Sequence, residues 1–333
     1  MRTAVSTLKK KSFKSSLILL TLLTTFTVTA DDEQTAKQWL ERMIQAVNNL
    51  DYQGTFIYLH DNQLETMKIV HAVGNGQLQE RLTSLNGAPR EVIRDQHSVT
   101  CVMPESQEVS VDKRPLSKKF LALLPEDLRQ LDAHYAFRWL GKGRVAGRHA
   151  RVVAIIPKDG YRYGYRFFLD EETGLPLKSD LMNELGKAVE QTMFTHLEVG
   201  VAEIDPAQAS LSGPQQRIEL TAHADGLSHS LAPDEGGWEF RHLPDGFSLT
   251  TRNRLPNADG NQAIEQYVLS DGLASLSVFV ESAGQGEAFL QGVSRLGAIN
   301  AWGGKLDGYQ VTVVGEVPAV TLLGIVDAMR LKR

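Results

Sequence analysis

The chain has 333 residues, of which 42% are apolar and 23% charged, enough for two hydrophobic cores. Its formal net charge is −5, and loss of the five cations in residues 1–30 leaves 30 Lys and Arg against 40 Asp and Glu, a net charge of −10. So acidic a protein is a poor nucleic-acid binder. The one cysteine, Cys101, excludes an internal disulfide. We interpret Cys101 as a buried, unreactive thiol in a strand, because a lone cysteine is a weak indication of catalysis. A catalytic cysteine would need a base beside it, and His97 is the only one close in sequence.

The first thirty residues predict a cleavable secretory signal. Lysines at 9–14 precede an apolar run at 17–28, and Val28-Thr29-Ala30 supplies small residues before the acidic Asp31. A retained anchor needs about 20 apolar residues, so this run is short for one. We expect cleavage after Ala30 and, from the Lys-rich head without a lipobox cysteine, a Gram-negative periplasmic protein.

The next part of the chain predicts one helix followed by many antiparallel strands. Residues 31–50 place apolar side chains at helical spacing, including Ala36, Trp39, Leu40 and Met43. A second helix is predicted at Ser117–Leu131. Period-two runs predict strands at 53–59, 64–73, 77–83, 90–94, 97–103, 107–111, 134–140, 149–156, 161–169, 175–184 and 188–199. We expect a large curled meander whose apolar face is covered by helices.

A second, smaller unit is predicted after a stretch without periodicity. Residues 200–217 have the Ala-, Ser-, Gln- and Pro-containing composition of a linker. We therefore predict a first domain at 31–199 and a second at 218–333. Strands are expected near 238–240, 247–253, 263–269, 274–280 and 310–314, and Pro318 is expected to open a helix with Val320, Leu323 and Val326 on one side. The fold class is α+β, mainly antiparallel β.

No catalytic constellation emerges from the sequence. Residues 141–146 fit a relaxed dinucleotide fingerprint but precede a predicted strand, so we interpret them as a turn. His223 and His229 flank Asp225 without zinc-like spacing. The paired carboxylates at 171–172 and 234–235 lie in predicted turns. The sequence thus predicts no enzyme, no cofactor and no metal.

An aromatic and basic segment is the strongest candidate site. Alternation predicts a strand with one aromatic face and two arginines on the other face, and Arg144, Arg148 and Arg151 precede it. An apolar concave sheet with arginines at its rim suits an amphiphile, with acyl chains inside and phosphates outside. For each tyrosine taken singly, packing in the sheet core is favoured about two to one, and the surplus of basic groups in an acidic protein is what supports a ligand. The predicted lipid-binding residues are Tyr161, Tyr163, Tyr165, Phe167, Arg162 and Arg166.

Several motifs resemble the MucB/RseB family over nearly the whole chain after residue 30. In the first unit these are Tyr52–Phe56, Arg90–Arg94, Gly143–Arg148, Pro157–Tyr165, Leu169-Asp170 and Thr173–Ser179. In the second unit they are Leu243–Phe247, Ser270–Ser275 and Val313–Pro318.

The resemblance implies a non-enzymatic periplasmic regulator of the envelope-stress sigma factor sigma-E, called AlgU in alginate producers. The family binds the periplasmic part of a membrane anti-sigma factor, RseA or MucA, and blocks its first cleavage by a DegS-type protease. The family's first domain is similar to LolA and LolB, a half-closed β-barrel covered by helices, and lipopolysaccharide or another lipid is expected to release the partner. We assign the anti-sigma contact to the second domain as a whole.

Two other functions remain open at this point. A periplasmic lipid or lipoprotein carrier would use the same first domain but has little need of the second. An envelope hydrolase is a third class, for which the sequence supplies no residues. An exposed sheet edge also leaves homo-oligomer formation open.

Overall fold

The computed structural model describes residues 30–74, 77–95, 98–103, 108–112, 124–200, 216–220, 229–230, 237–256, 263–282 and 290–332. These residues form a mainly antiparallel β protein with few helices, as predicted. The expected signal, the paired acids at 234–235, the histidine at 223 and most of the expected linker lie outside the described residues. Within the described part, no helix is long and apolar enough to span a membrane.

The first unit is built on a twelve-stranded sheet, and its predicted strands are largely confirmed. The strands are β1 (Tyr52–His60), β2 (Gln63–Gly74), β3 (Gln77–Ser84), β4 (Glu91–Arg94), β5 (Val99–Met103), β6 (Glu108–Asp112), β7 (Tyr135–Val145), β8 (Arg148–Pro157), β9 (Gly164–Asp170), β10 (Pro176–Met182), β11 (Ala188–Val199) and β12 (Gln216–Leu220). Their order is β12-β6-β5-β4-β3-β2-β1-β11-β10-β9-β8-β7, antiparallel except for the parallel pair β12–β6. The sheet is open, with β12 and β7 at its edges.

The helix α1 (Ala30–Asn49) packs against one end of this sheet, at β7 and β8. Its stripe Ala36, Leu40, Met43 and Val47 is buried, as the helical spacing predicts. These side chains share one core with aromatic residues of the sheet, among them Phe56. Burial of one such leucine or phenylalanine contributes about 1.5–3 kcal/mol.

Three local predictions in the first unit need correction. The first half of the predicted helix Ser117–Leu131, residues 117–123, lies outside the described residues; of the rest, 124–127 are not helical and Leu128–Leu131 form a 3₁₀ helix. Gly141 to Val145 continue strand β7 past a bulge, so the turn there is Ala146-Gly147 alone. The strand expected at 161–169 begins at Gly164, because an Asp159 carboxylate accepts the Tyr161 amide and holds the chain in a bend.

The second unit is a seven-stranded antiparallel sheet with one helix. Its strands are β13 (His229–Ser230), β15 (Ser248–Pro256), β16 (Ala263–Ser270), β17 (Ser275–Ser282), β18 (Gly292–Leu296), β19 (Ile299–Leu306) and β20 (Tyr309–Gly315), in the order β13-β15-β16-β17-β20-β19-β18. A separate pair joins β14 (Trp238–Phe240) to β21 (Met329–Leu331). Sequence periodicity missed β18 and β19. On β17, Leu276, Val278 and Val280 face the core.

The helix α2 (Ala319–Ala328) follows Pro318 as predicted, and its buried side is not the one that carries Val320 and Leu323. Val320 and Leu323 are 51% and 42% exposed, whereas Leu322 and Ile325 are completely buried. Thr321 is also buried, because its hydroxyl donates to the carbonyl oxygen of Tyr161 in the first unit at 2.6 Å. The helix therefore turns its buried side toward both the sheet and the domain boundary.

Candidate functional site

A fully buried arginine joins the two units. The guanidinium Nε of Arg162, in the bend before β9, lies 3.0 Å from Oδ2 of Asp271 in the second unit. Its Nη1 lies 3.1 Å from Oδ2 of Asp159, and its Nη2 donates to the backbone carbonyl of Asp245. A buried guanidinium is tolerated only when anions and acceptors surround it. We call Arg162, Asp159, Asp245, Asp271 and Tyr135 the arginine latch.

Tyr135 and Asp271 complete the latch from opposite units. The Tyr135 hydroxyl donates to Asp271 Oδ2 at 2.8 Å. Burial, and to a smaller extent the negative charge of Asp271, raises the pKa of this tyrosine. The hydroxyl therefore stays protonated and remains a donor. The other oxygen, Oδ1, accepts the amides of Leu273 and Ala274 at 2.9 and 2.7 Å. Asp271 thus fixes its own turn and Arg162 at once.

Further contacts extend the boundary on either side of the latch. Asn300 of β19 donates its side-chain amide to the Tyr163 hydroxyl at 3.0 Å and to the Val317 carbonyl at 2.7 Å. Leu273, from the turn between β16 and β17, is 4% exposed and belongs to the core of the first unit. Because apolar and polar contacts both cross the boundary, the two units are held in one defined orientation.

Beside the latch, an interdomain cavity of about 350 Å³ lies between the two units. Tyr165 of β9 contributes the wall from the first unit. The second unit supplies the other lining residues, which are Leu273, Ala274, Ser275, Leu276, Ser277, Ile299, Val314, Gly315 and Glu316. Burial, and to a smaller extent the charge of Glu316, raises the pKa of Tyr165, so its hydroxyl is neutral.

Tyr165 also contacts the apolar interior of the first unit. Its ring stacks on Phe167, with centroids 5.6 Å apart and planes 5° apart. Phe167 is 1% exposed and lies in the core beneath α1, against which Tyr165 packs as well. One stacked pair therefore connects the interior of the first unit to the interdomain cavity.

The structure divides the predicted lipid-binding residues among different environments. Tyr161, Tyr163 and Arg162 contact the second unit, while Tyr165 and Phe167 form the stacked pair. Their lipid-binding role stays a prediction.

The arginines of this region have acidic partners. Arg166 is ion-paired with Asp180 at 2.6 Å, and its side chain is 35% exposed. Arg148 contacts Asp170 at 2.9 Å, and Arg151 contacts Glu171. Most of the expected basic rim is thus already neutralised.

Sequence reasoning missed the partners that the second unit supplies. Asp271 and Asn300 were not singled out as functional, although Ser270–Ser275 was noted as a motif. The available signal was the Asp-Gly pair, since Gly272 adopts a φ of +98° that marks a tight turn. Cys101 is a free, half-buried thiol in β5. Among the described residues, no group of three or more His, Cys, Asp or Glu could hold a metal ion.

Comparison with known proteins identifies the family. The model of the MucB/RseB N-terminal domain matches residues 35–216, and that of the MucB/RseB C-terminal domain matches 232–330. The sigma factor AlgU regulatory protein MucB of Pseudomonas aeruginosa is 36% identical over 92% of this chain and 95% of its own length. The sigma-E factor regulatory protein RseB of Haemophilus influenzae is 28% identical over 98% of this chain and 100% of its own.

Solved structures agree with that assignment across both units. The complex of Pseudomonas aeruginosa MucA and MucB has a TM-score of 0.69 at 31% identity, covering 90% of this chain and 99% of that one. A second structure of MucB in complex with MucA(peri) has a TM-score of 0.67 at 31% identity, with the same coverage. From the full-length match of sequence and fold, this chain belongs to the MucB/RseB family.

Proposed function

We propose that this protein is a periplasmic regulator that binds the periplasmic region of an RseA/MucA-like membrane anti-sigma factor and so keeps a sigma-E/AlgU factor inactive. The observation that carries the proposal is the likeness of the whole chain, both units together, to MucB in two solved complexes with MucA. A two-unit platform with a fixed boundary suits a binding protein, because a preorganised surface loses little entropy on binding.

In this proposal the bound regulator shields the anti-sigma factor from a DegS-type site-1 protease. The test is cleavage of the purified periplasmic fragment by that protease, with and without the mature protein. We expect slower cleavage in proportion to the fraction bound. Unchanged cleavage at saturating regulator would refute the shielding role while leaving binding itself intact.

Lipopolysaccharide or a related lipid releases the partner in this account. The apolar interior of the first unit would take the acyl chains, and the Tyr165–Phe167 stack would carry the displacement to the interdomain cavity. A ligand shifts a two-state balance only by its differential affinity for the two states. A shift from 1:99 to 99:1 requires about 5.5 kcal/mol.

The proposal includes the processing and division of the chain predicted above. Residues 1–30 act as a signal peptide cleaved after Ala30, 31–199 form the lipid-sensing domain, 200–217 the linker and 218–333 the anti-sigma-binding domain. Strand β12 (Gln216–Leu220) crosses the last of these boundaries and pairs with β6 of the first unit's sheet. N-terminal sequencing of the protein recovered from the periplasm tests the cleavage site. Sequencing that begins at Met1 would contradict it.

A lipid or lipoprotein carrier is the second candidate, favoured by the open sheet with its apolar interior. The buried arginine latch argues against it, because a carrier gains nothing from a second unit fixed over its first. A pull-down with the anti-sigma fragment separates the two functions, since only a regulator retains that fragment.

A further inference from the structure

Four polar side chains lie side by side on the core face of the first unit's sheet. Tyr52 of β1 pairs in register with His71 of β2, which pairs on its other side with Glu80 of β3. Glu80 in turn pairs with Arg94 of β4. Directly opposed residues share one face of a sheet. Tyr52 and His71 are completely buried, and Glu80 is nearly so. We call Tyr52, His71, Glu80 and Arg94 the buried polar row.

His71 connects this row to the end of the helix α1. Its ring nitrogen Nδ1 lies 3.0 Å from the carbonyl oxygen of Leu50, the residue that follows α1. A carbonyl oxygen only accepts hydrogen bonds, so Nδ1 carries a hydrogen and Nε2 is the bare nitrogen of the neutral ring. The same ring stacks on Tyr52, with centroids 4.5 Å apart and planes 12° apart. One neutral tautomer therefore makes both contacts.

The charges within the row already cancel. Nη1 of Arg94 lies 3.0 Å from Oε1 of Glu80, so these two side chains form an ion pair. Burial, and to a smaller extent the charge of Glu80, raises the pKa of Tyr52, so the hydroxyl of this tyrosine is neutral. With a neutral His71, the row as a whole carries no net charge.

The connection from α1 to β1 adds one charged group. Residues 46–50 carry no charged side chain, and Asp51 follows them. The Asp51 carboxylate accepts the Val73 amide at 2.6 Å and is only half-buried, so water screens its charge. A proton added to His71 therefore gives the buried polar row a net positive charge, which burial disfavours.

We propose that His71 is an acid-sensitive fastening between α1 and the sheet. While Nε2 is unprotonated, the ring stays in the buried polar row and donates to Leu50. When Nε2 takes up a proton from solvent, the charged ring turns out of the row and the last turn of α1 separates from β2. Val47 of that turn is buried in the core of the first unit, so the separation opens this core at one end. The fastening needs neither lipid nor the anti-sigma factor and goes beyond the proposed function.

Hydrogen exchange of the backbone amides at 46–50 in the mature full chain tests the proposal. An exposed imidazole, with a pKa of about 6.5, changes from about 9% to about 91% protonated between pH 7.5 and pH 5.5. If only the separated form takes up the proton, its population rises about tenfold over this range. We expect the protection of these amides, corrected for the intrinsic pH dependence of exchange, to fall about tenfold. The amides of β17 in the second unit should keep their protection.

Two variants assign the effect to one histidine. His71→Asn cannot take up the proton, but its side-chain amide can still donate to Leu50. His196→Asn is the matched control, because His196 is exposed on β11 of the same sheet. We expect the tenfold fall to disappear in His71→Asn and to remain in His196→Asn.

The wild-type profile decides the matter even where His71→Asn does not fold. A loss of protection confined to residues 46–50 and centred near pH 6.5 supports the fastening. Protection that is equal at the two pH values, or that falls as far in β17 as at the end of α1, would overturn it. A tenfold fall that persists in a folded His71→Asn chain would overturn it as well.

Discussion

Replacing Asp271 by Asn tests whether the arginine latch holds the two units together. The substitution keeps the shape of the side chain and the oxygen that accepts the Leu273 and Ala274 amides. It removes the negative charge 3.0 Å from Arg162 and the acceptor of the Tyr135 hydroxyl. The guanidinium then stays fully buried with Asp159 as its remaining ion-pair partner.

Removal of one partner from a buried ion pair costs about 3–5 kcal/mol. We expect about 3 kcal/mol for Asp271→Asn, at the low end because Asp159 still neutralises part of the charge. The assay is urea unfolding of the mature protein, with small-angle scattering to follow the separation of the units. The double variant Arg162→Met, Asp271→Asn should recover part of the loss, because no charge is then stranded. A loss below about 0.5 kcal/mol with unchanged scattering would show that the latch does not fix the units.

Three other predictions concern the fold that supports the site. Burial alone would raise the pKa of Asp170, but hydrogen bonds from Arg148 and Thr173 outweigh it and the pKa is lowered. The ionised Asp170 therefore stabilises the fold above the ordinary Asp pKa of about 4, and this stabilisation is lost as the pH falls through the lowered pKa. Asp170→Asn should flatten the acid limb of a curve of unfolding free energy against pH. Gly54→Ala should cost about 1–3 kcal/mol in thermal unfolding, because the added methyl would lie 2.4 Å from the His196 carbonyl oxygen. Leu322→Ala should cost about 2–5 kcal/mol and its exposed neighbour Leu323→Ala less than about 0.5 kcal/mol; equal losses would contradict the buried side of α2.

The strands of the first unit could be predicted because their signal is local. In β1, residues at even positions such as Tyr52 and Phe56 are buried while Leu59 is exposed, and this alternation is visible in the sequence. The strands β18 and β19 gave no such signal. Every residue of β18 is exposed, and Gly303 and Gly304 interrupt β19, so apolar residues do not alternate there.

The boundary between the units could not be predicted, because its pairs join distant parts of the chain. Nothing near Arg162 in sequence indicates that Asp271 neutralises it, so an exposed rim position was the simplest expectation for an arginine. Thr321 illustrates the same limit on α2, where a polar residue is buried to bond Tyr161 of the other unit. The aromatic segment was singled out from the sequence for lipid binding, which stays a prediction, and its contacts with the second unit became clear only in three dimensions.

Titration of the anti-sigma factor's periplasmic fragment into the mature protein, with and without lipopolysaccharide, tests the central claim most directly. The account predicts saturable binding in the absence of lipid and a marked loss of affinity when lipid is present. No binding in either condition, or an affinity that lipopolysaccharide leaves unchanged, would contradict a regulator that holds its partner until lipid arrives.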